Sequence, residues 1–348
     1  MEHTGFSMTD KRKFFLAFLL LCFLCPRAFA GADMERIKRS GVLRCGVRTT
    51  ANAYAYQDEN KEWQGIDIEI CRAIATAVIG RSDAVVPVAV NHEEGFKLLN
   101  EGKIDVLTAA TPWTYKTDTT QQAMFPAVFY YSALTFLGHY NPEATSMKDY
   151  AGKKVCVERS SFLLQELDYY NKKYELDLNV MSLPDLGRAK ELLYLKRCDL
   201  IFDRLETFHS DYFKKAPPSI DLVVLPEIVR TYPTGAFIRK GDDEFYKTVF
   251  WLFHSLVKAE AKGISSQTVE DYQNTRDREI INLVGADSTI SKGLGLDPDW
   301  LKRTIAERGN YGEIYRRALG DKSPLKIRRS ANRLKEQGGM LVPFEYNE

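Results

Sequence analysis

The stretch from Thr108 to Gln122, TAATPWTYKTDTTQQ, holds six threonines, one tryptophan and one lysine, and no arginine. Hydroxyls, an indole ring and a single ammonium suit the recognition of a small polar ligand better than covalent chemistry. Tyr54 and Tyr56 lie in a polar loop after an earlier apolar run. Arg159, Ser160, Ser161 and Phe162 precede a helical pattern, where free backbone N–H groups favour an anion. Asp203 and Arg204 close the apolar run CDLIF. The candidate ligand-binding set is therefore Tyr54, Tyr56, Thr111, Trp113, Lys116, Thr117, Arg159, Ser160, Ser161, Asp203 and Arg204.

Other chemistry finds little support. The histidines, His3, His92, His139, His209 and His254, show no metal-ligand or H-E-x-x-H spacing, and read as single surface residues. No nucleophile elbow, phosphate loop or dinucleotide fingerprint occurs. Neither a metal nor a cofactor is expected. Asp203 or Glu206 could act as a general acid or base, but no matching catalytic set accompanies them. The basic run Lys326–Lys335, KIRRSANRLK, reads as a solvated helix face rather than a nucleic-acid surface. Net charge is +1, so no strong global field favours a polyanion.

The elements that must position these residues alternate. VLRCGV is a strand, Asp67–Ile79 a helix ended by Gly80, AVVPVAV a strand, HEEGFKLLNEG a helix and IDVLTAA a strand. The order recurs in KKVCVE, SSFLLQELDYYNKKY, DLNVMSL, DLGRAKELLYLKR and CDLIFD. Two βαβαβ units predict an α/β fold of two lobes, each a mostly parallel sheet flanked by helices. FYYSALTFLGHYNP leads out of the first lobe and VVLPEIVRTYPTGAFIRKGDD leads back. Two crossings make a hinged clamshell with its cleft at the carboxyl ends of the strands. The expected division is 36–138 for the first part of lobe one, 139–232 for lobe two, and 233–348 for the return to lobe one with a C-terminal helical extension.

Residues 1–30 read as a cleaved secretory leader. Lys11, Arg12 and Lys13 precede an apolar run from Phe14 to Cys25, and Ala28 and Ala30 supply the small residues before the cut. The run is shorter than the roughly 18 residues that span a bilayer. Export to the periplasm follows, with cleavage near Ala30. Cys22 and Cys25 leave with the leader. Cys45, Cys71, Cys156 and Cys198 remain, and four cysteines allow three pairings. An oxidising compartment favours disulfides. The sequence-local pairing, Cys45–Cys71 and Cys156–Cys198, would staple each half once.

From about Ile37 onward the chain resembles the substrate-binding proteins of general L-amino-acid ABC transporters, within the family 3 periplasmic solute-binding proteins. The residues that carry this are GVLRCGV, WQGIDIEICRAIATAVIG, GKIDVLTAATPWT, DYAGKKVCVE, RCDL, VVLPEI, GLGLDPDW, GNYGEIYRRALG and SPLKI. The resemblance implies the clamshell, a small-molecule ligand, an inner-membrane ABC permease as partner, and a monomer. It also implies an arginine where this chain has Thr117 and an aspartate where it has Arg204, with Asp203 one residue earlier. Arg159 and Arg204 would then carry the positive charge on lobe two, favouring an anionic ligand or a zwitterion in reversed orientation. The competing readings are a ligand sensor or a binding-dead clamshell acting as an interaction surface, and a dehydratase-like enzyme on the same fold.

Overall fold

The computed structural model describes residues 32–49, 53–159, 161–213, 216–285 and 288–345. The leader reading and Ser160 fall outside these. The first lobe opens with α1 (Ala32–Ser40), β1 (Leu43–Val47), the small hairpin β2 (Tyr56–Gln57) and β3 (Trp63–Gln64), then α2 (Ile66–Ile79), β4 (Val85–Ala89), α3 (His92–Asn100) and β5 (Val106–Leu107). It continues through α4 (Tyr115–Thr120) to β6 (Ala123–Met124). The second sheet and its helices follow: β7 (Val128–His139), β8 (Lys154–Glu158), α5 (Ser161–Lys173), β9 (Asn179–Leu183), α6 (Leu186–Tyr194), β10 (Leu200–Arg204), the one-turn α7 (Leu205–Thr207), β11 (Leu222–Val224) and β12 (Arg230–Gly235). The chain returns through β13 (Phe237–Arg239) and ends in α8 (Asp243–Ala261), α9 (Arg278–Leu283), α10 (Ser288–Gly293), α11 (Trp300–Arg308) and α12 (Tyr311–Ala318).

Two sheets result, ordered β4-β1-β5-β13-β6 and β11-β7-β10-β8-β9, with β12 also paired to β7. In each sheet the βαβαβ strands run parallel, as their alternation with helices requires. The strands that cross between lobes join antiparallel, which makes both sheets mixed. The crossings run side by side: β7 pairs β12 from Leu134↔Arg230 to Val128↔Gly235, with a register shift between Thr234 and Gly235. Gly235 is needed there, because a Cβ would overlap the Ala127 carbonyl oxygen and touch the Phe125 ring.

Cys45 on β1 is bonded to Cys71 on α2, and Cys156 on β8 to Cys198 before β10, with Cα separations of 6.4 and 5.9 Å. Each disulfide ties a strand to a neighbouring element of its own lobe. The sequence-local pairing is the one adopted.

The basic run Lys326–Lys335 is not a helix. It holds a short 3-10 turn, Ser330–Asn332, with Lys326 and Ser330 at φ 52° and 43°. Tertiary contacts outweigh its helical pattern. Arg329 turns inward to form an ion pair with Glu260. The Asn332 side chain accepts from the Tyr131 N–H at 2.6 Å and donates to the Tyr131 carbonyl at 3.0 Å, pinning the tail to β7. His254 is also not a plain surface residue. It stacks on Phe344 with ring centroids 3.8 Å apart, and burial lowers its pKa to about 4.

Candidate functional site: the interlobe cleft

Four segments meet where the parallel strands end. Arg48 follows β1, Tyr54 follows it in the same loop, and Thr108–Thr117 follows β5. Glu158 ends β8, and Asp203 and Arg204 end β10. This is where an α/β sheet presents loop and helix-start residues to a ligand.

The two lobes touch here. Arg48 of lobe one lies 3.6 Å from Glu158 of lobe two, and its guanidinium stands over the Tyr54 ring at 5.6 Å. The Arg48 N–H donates to Asp67 Oδ2 at 3.1 Å, so the first turn of α2 fixes the start of this loop.

Arg204 is 7% exposed. Its guanidinium donates no hydrogen bond among the described residues. It lies over the Phe162 ring at 5.5 Å, and its Nη1 stands 3.9 Å from Asp203 Oδ1. That Oδ1 already accepts the Arg204 backbone N–H at 2.7 Å. Glu206 accepts from the Ser132 hydroxyl at 3.0 Å. Asp203 Oδ2 and the hydroxyls of Tyr54, Tyr130 and Thr111 are buried without a partner among the described residues. Buried polar atoms ordinarily find partners, so this concentration marks a site with hydrogen-bonding capacity unused.

Burial dominates the electrostatics. It raises the Asp203 carboxyl to about 6, Glu206 to about 7 and Asp67 to about 7. It also pushes the Tyr54 phenol far above its ordinary value, keeping it a neutral donor. Burial opposes the Arg204 charge, but Tyr54, Asp203, Tyr130 and Glu206 outweigh it and hold the pKa above the usual value.

The stretch after β5 is positioned by strained backbone. Ala109 and Ala110 are buried at φ 41° and 51°, a left-handed conformation costing roughly 1–2 kcal/mol per residue outside glycine. This turn cuts β5 to two residues, where a longer strand is expected from IDVLTAA. The Trp113 N–H then donates to the Pro233 carbonyl at 2.9 Å, tying the loop to crossing strand β12.

The expected site residues separate into groups. Tyr54, Thr111, Asp203 and Arg204 are buried, and the Tyr54 and Thr111 hydroxyls and Asp203 Oδ2 have no partner among the described residues. Thr117 is spent in a capping box: its hydroxyl accepts from the Thr114 N–H at 2.8 Å, while its N–H donates to Thr114 Oγ1 at 3.1 Å. Trp113 stacks on Phe125 at 5.0 Å and donates its Nε1–H to Asp118 at 2.9 Å, with 40% of its surface exposed. Tyr56 is half-buried on β2, and Lys116 and Arg159 are exposed. Ser161 begins α5. Arg48, Tyr130 and Ser132 were not singled out in the sequence. Their signal was present: a cation directly after a strand, and hydroxyls within the apolar crossing run FYYSALTFL.

The sequence profile of the bacterial extracellular solute-binding proteins, family 3, matches residues 43–267. The chain belongs to that family.

This family 3 solute-binding protein is similar along nearly its whole length to full-length relatives. It is 32% identical over 315 residues to the general L-amino acid-binding periplasmic protein AapJ of Rhizobium johnstonii, covering 90% of this chain and 92% of the relative. It is 30% identical over 337 residues to the glutamate/glutamine/aspartate/asparagine-binding protein BztA of Rhodobacter capsulatus, covering 96% and 99%. Among solved structures it matches an ABC transporter/periplasmic binding protein from Brucella ovis with glutathione bound. The TM-score there is 0.83 and the identity 31%, over 89% of this chain and 98% of that one. These matches agree with the two-lobe clamshell and with an extracellular solute-binding role. Among the described residues no helix is long and apolar enough to cross a membrane.

Proposed function

We propose that this protein captures a small amino-acid-like ligand, bearing both an ammonium and a carboxylate, in the periplasm and delivers it to an ABC permease without transforming it. One observation carries the reading. Among the described residues, the interlobe cleft holds a buried guanidinium whose one charged neighbour is Asp203 at 3.9 Å, a carboxylate oxygen with no partner and three unpartnered hydroxyls. A zwitterion satisfies both signs of charge at once, whereas an apolar or singly charged ligand leaves one of them buried and unpaired.

Asp203 Oδ2 receives the ammonium, and Tyr54, Thr111 and Arg204 complete the polar lining. Trp113, Lys116, Tyr56 and Arg159 stand towards the rim, and the Ser160–Ser161 helix start remains part of the proposed set. The strand pair β7–β12 supplies the hinge: Phe129 and Tyr130 at the start of β7 pack with the core of lobe one, and Leu134 and Phe136 further along pack with that of lobe two. The AapJ and BztA names and the glutathione-bound Brucella structure support the ligand class. A catalytic reading draws no support from the raised Glu206 carboxyl, which the Ser132 hydroxyl already engages. Native mass spectrometry of protein purified without dialysis tests the reading. A co-purifying small molecule with amine and carboxyl groups is expected, lost on unfolding. An apolar or purely cationic adduct overturns it.

A further inference from the structure

We propose that Arg204, on lobe two, is the anchor for the ligand's carboxylate, so that lobe two reads both charges of the ligand's zwitterionic head. This rests on the reading above and specifies its chemistry. A guanidinium offers five N–H donors in a planar fork that matches a carboxylate in two parallel bonds. Arg204 is buried with none of those donors bonded among the described residues.

The groups around it do not supply the missing acceptor. Asp203 Oδ1 is 3.9 Å away and occupied by a backbone N–H. Glu206 is bonded to Ser132. Phe162 covers one face of the guanidinium and has no acceptor. The Tyr54 and Tyr130 hydroxyls have no partner among the described residues. A fork with two phenolic donors nearby is a carboxylate receptor.

Among the described residues, lobe one offers no equivalent. Thr117 is closed into its own capping box, Lys116 is exposed and Arg48 faces Glu158 across the cleft. Asp203 precedes Arg204 on the same strand end, so its free oxygen takes the ammonium beside the bound carboxylate. Capture then begins on lobe two, and lobe one completes the site by bringing Tyr54 over it.

Calorimetric titration tests this with twenty free L-amino acids and glutathione, each paired with its carboxyamide. Wild type should prefer a free acid over its amide by about 100-fold, in line with two charge-assisted hydrogen bonds. Arg204→Gln should lose most of that affinity and bind acid and amide within about threefold of each other. Arg204→Lys keeps the charge without the fork and should fall between, and Tyr54→Phe should weaken the acid by roughly fivefold. Thermal melting checks that each variant is folded. If Arg204→Gln does not fold, Arg204→Lys carries the same acid-to-amide readout and must reduce that ratio at least about tenfold. A folded Arg204 variant that keeps the wild-type ratio overturns the inference alone. Failure of wild type to bind any probe overturns the functional reading and the inference with it.

Discussion

Asp203 is a buried carboxylate with hydrogen-bonding capacity to spare. Burial raises its carboxyl to about 6, and Oδ2 has no partner among the described residues. A carboxyl whose folded pKa exceeds its unfolded value near 3.8 holds its proton more tightly in the folded state. Its contribution to stability is complete below about 3.8 and is lost as pH rises through 6. Glu206 and Asp67, both raised to about 7, extend that window upward. The melting temperature of ligand-free protein should therefore fall as pH rises from 5 to 7.5. Glu69, whose pKa is lowered, loses its contribution only below about 4.5, outside this window, whereas His254 and His209, whose pKa values burial lowers, gain stability up to about pH 6.5 and offset part of the fall. Binding of an ammonium needs ionised Asp203, so affinity should weaken as pH falls below 6. Asp203→Asn should cost about 1.5–3 kcal/mol of binding while raising the melting temperature of the empty protein, read by titration and calorimetry.

Among the elements, the hinge and the loop after β5 decide the geometry. Gly235 sits at the register shift where β12 leaves lobe two, against Ala127 and Phe125 of the other crossing. Gly235→Ala should destabilise by roughly 1–3 kcal/mol, as overpacking does, and should alter ligand affinity through the hinge. Denaturant unfolding and titration report the two effects separately. The βαβαβ units were legible in the sequence because period and punctuation agree: α2 spans Ile66–Ile79 and ends at Gly80 in a left-handed cap. The shortness of β5 was not legible, since two alanines in left-handed conformation leave no compositional mark. Nor was the loss of helix in Lys326–Lys335, where Asn332 and Arg329 bind partners distant in sequence. Thr117 could be read as a missing arginine. Its role as the third-position partner of the Thr114 capping box emerged only from the hydrogen bonds.

At the scale of the molecule, the C-terminal part is fastened to lobe one by a buried carboxylate. Glu69 on α2 is 2% exposed and bonds Arg308 of α11 at 2.7 Å and Arg317 of α12. Glu69→Gln leaves three guanidinium groups, those of Arg72, Arg308 and Arg317, without this counter-charge. It should cost about 3 kcal/mol in unfolding, as breaking a buried pair does. The disulfides close loops with separations of 26 and 42 residues, worth up to about 3.5 and 4 kcal/mol in the chain-entropy model. Reduction should lower the midpoint of unfolding accordingly. The family was legible from short matched stretches across the mature chain. The charge arrangement of the site was legible only in part, since Arg48 and Tyr130 reach the cleft from a loop and a crossing strand. The account's central claim is a cleft that holds a small zwitterion between two lobes. Titration of wild-type protein, unfolded and refolded to remove bound ligand, tests it most directly. Saturable one-to-one binding of an amino acid or glutathione, abolished by capping either the amine or the carboxyl, is predicted. Equal affinity for the capped and uncapped forms would contradict it.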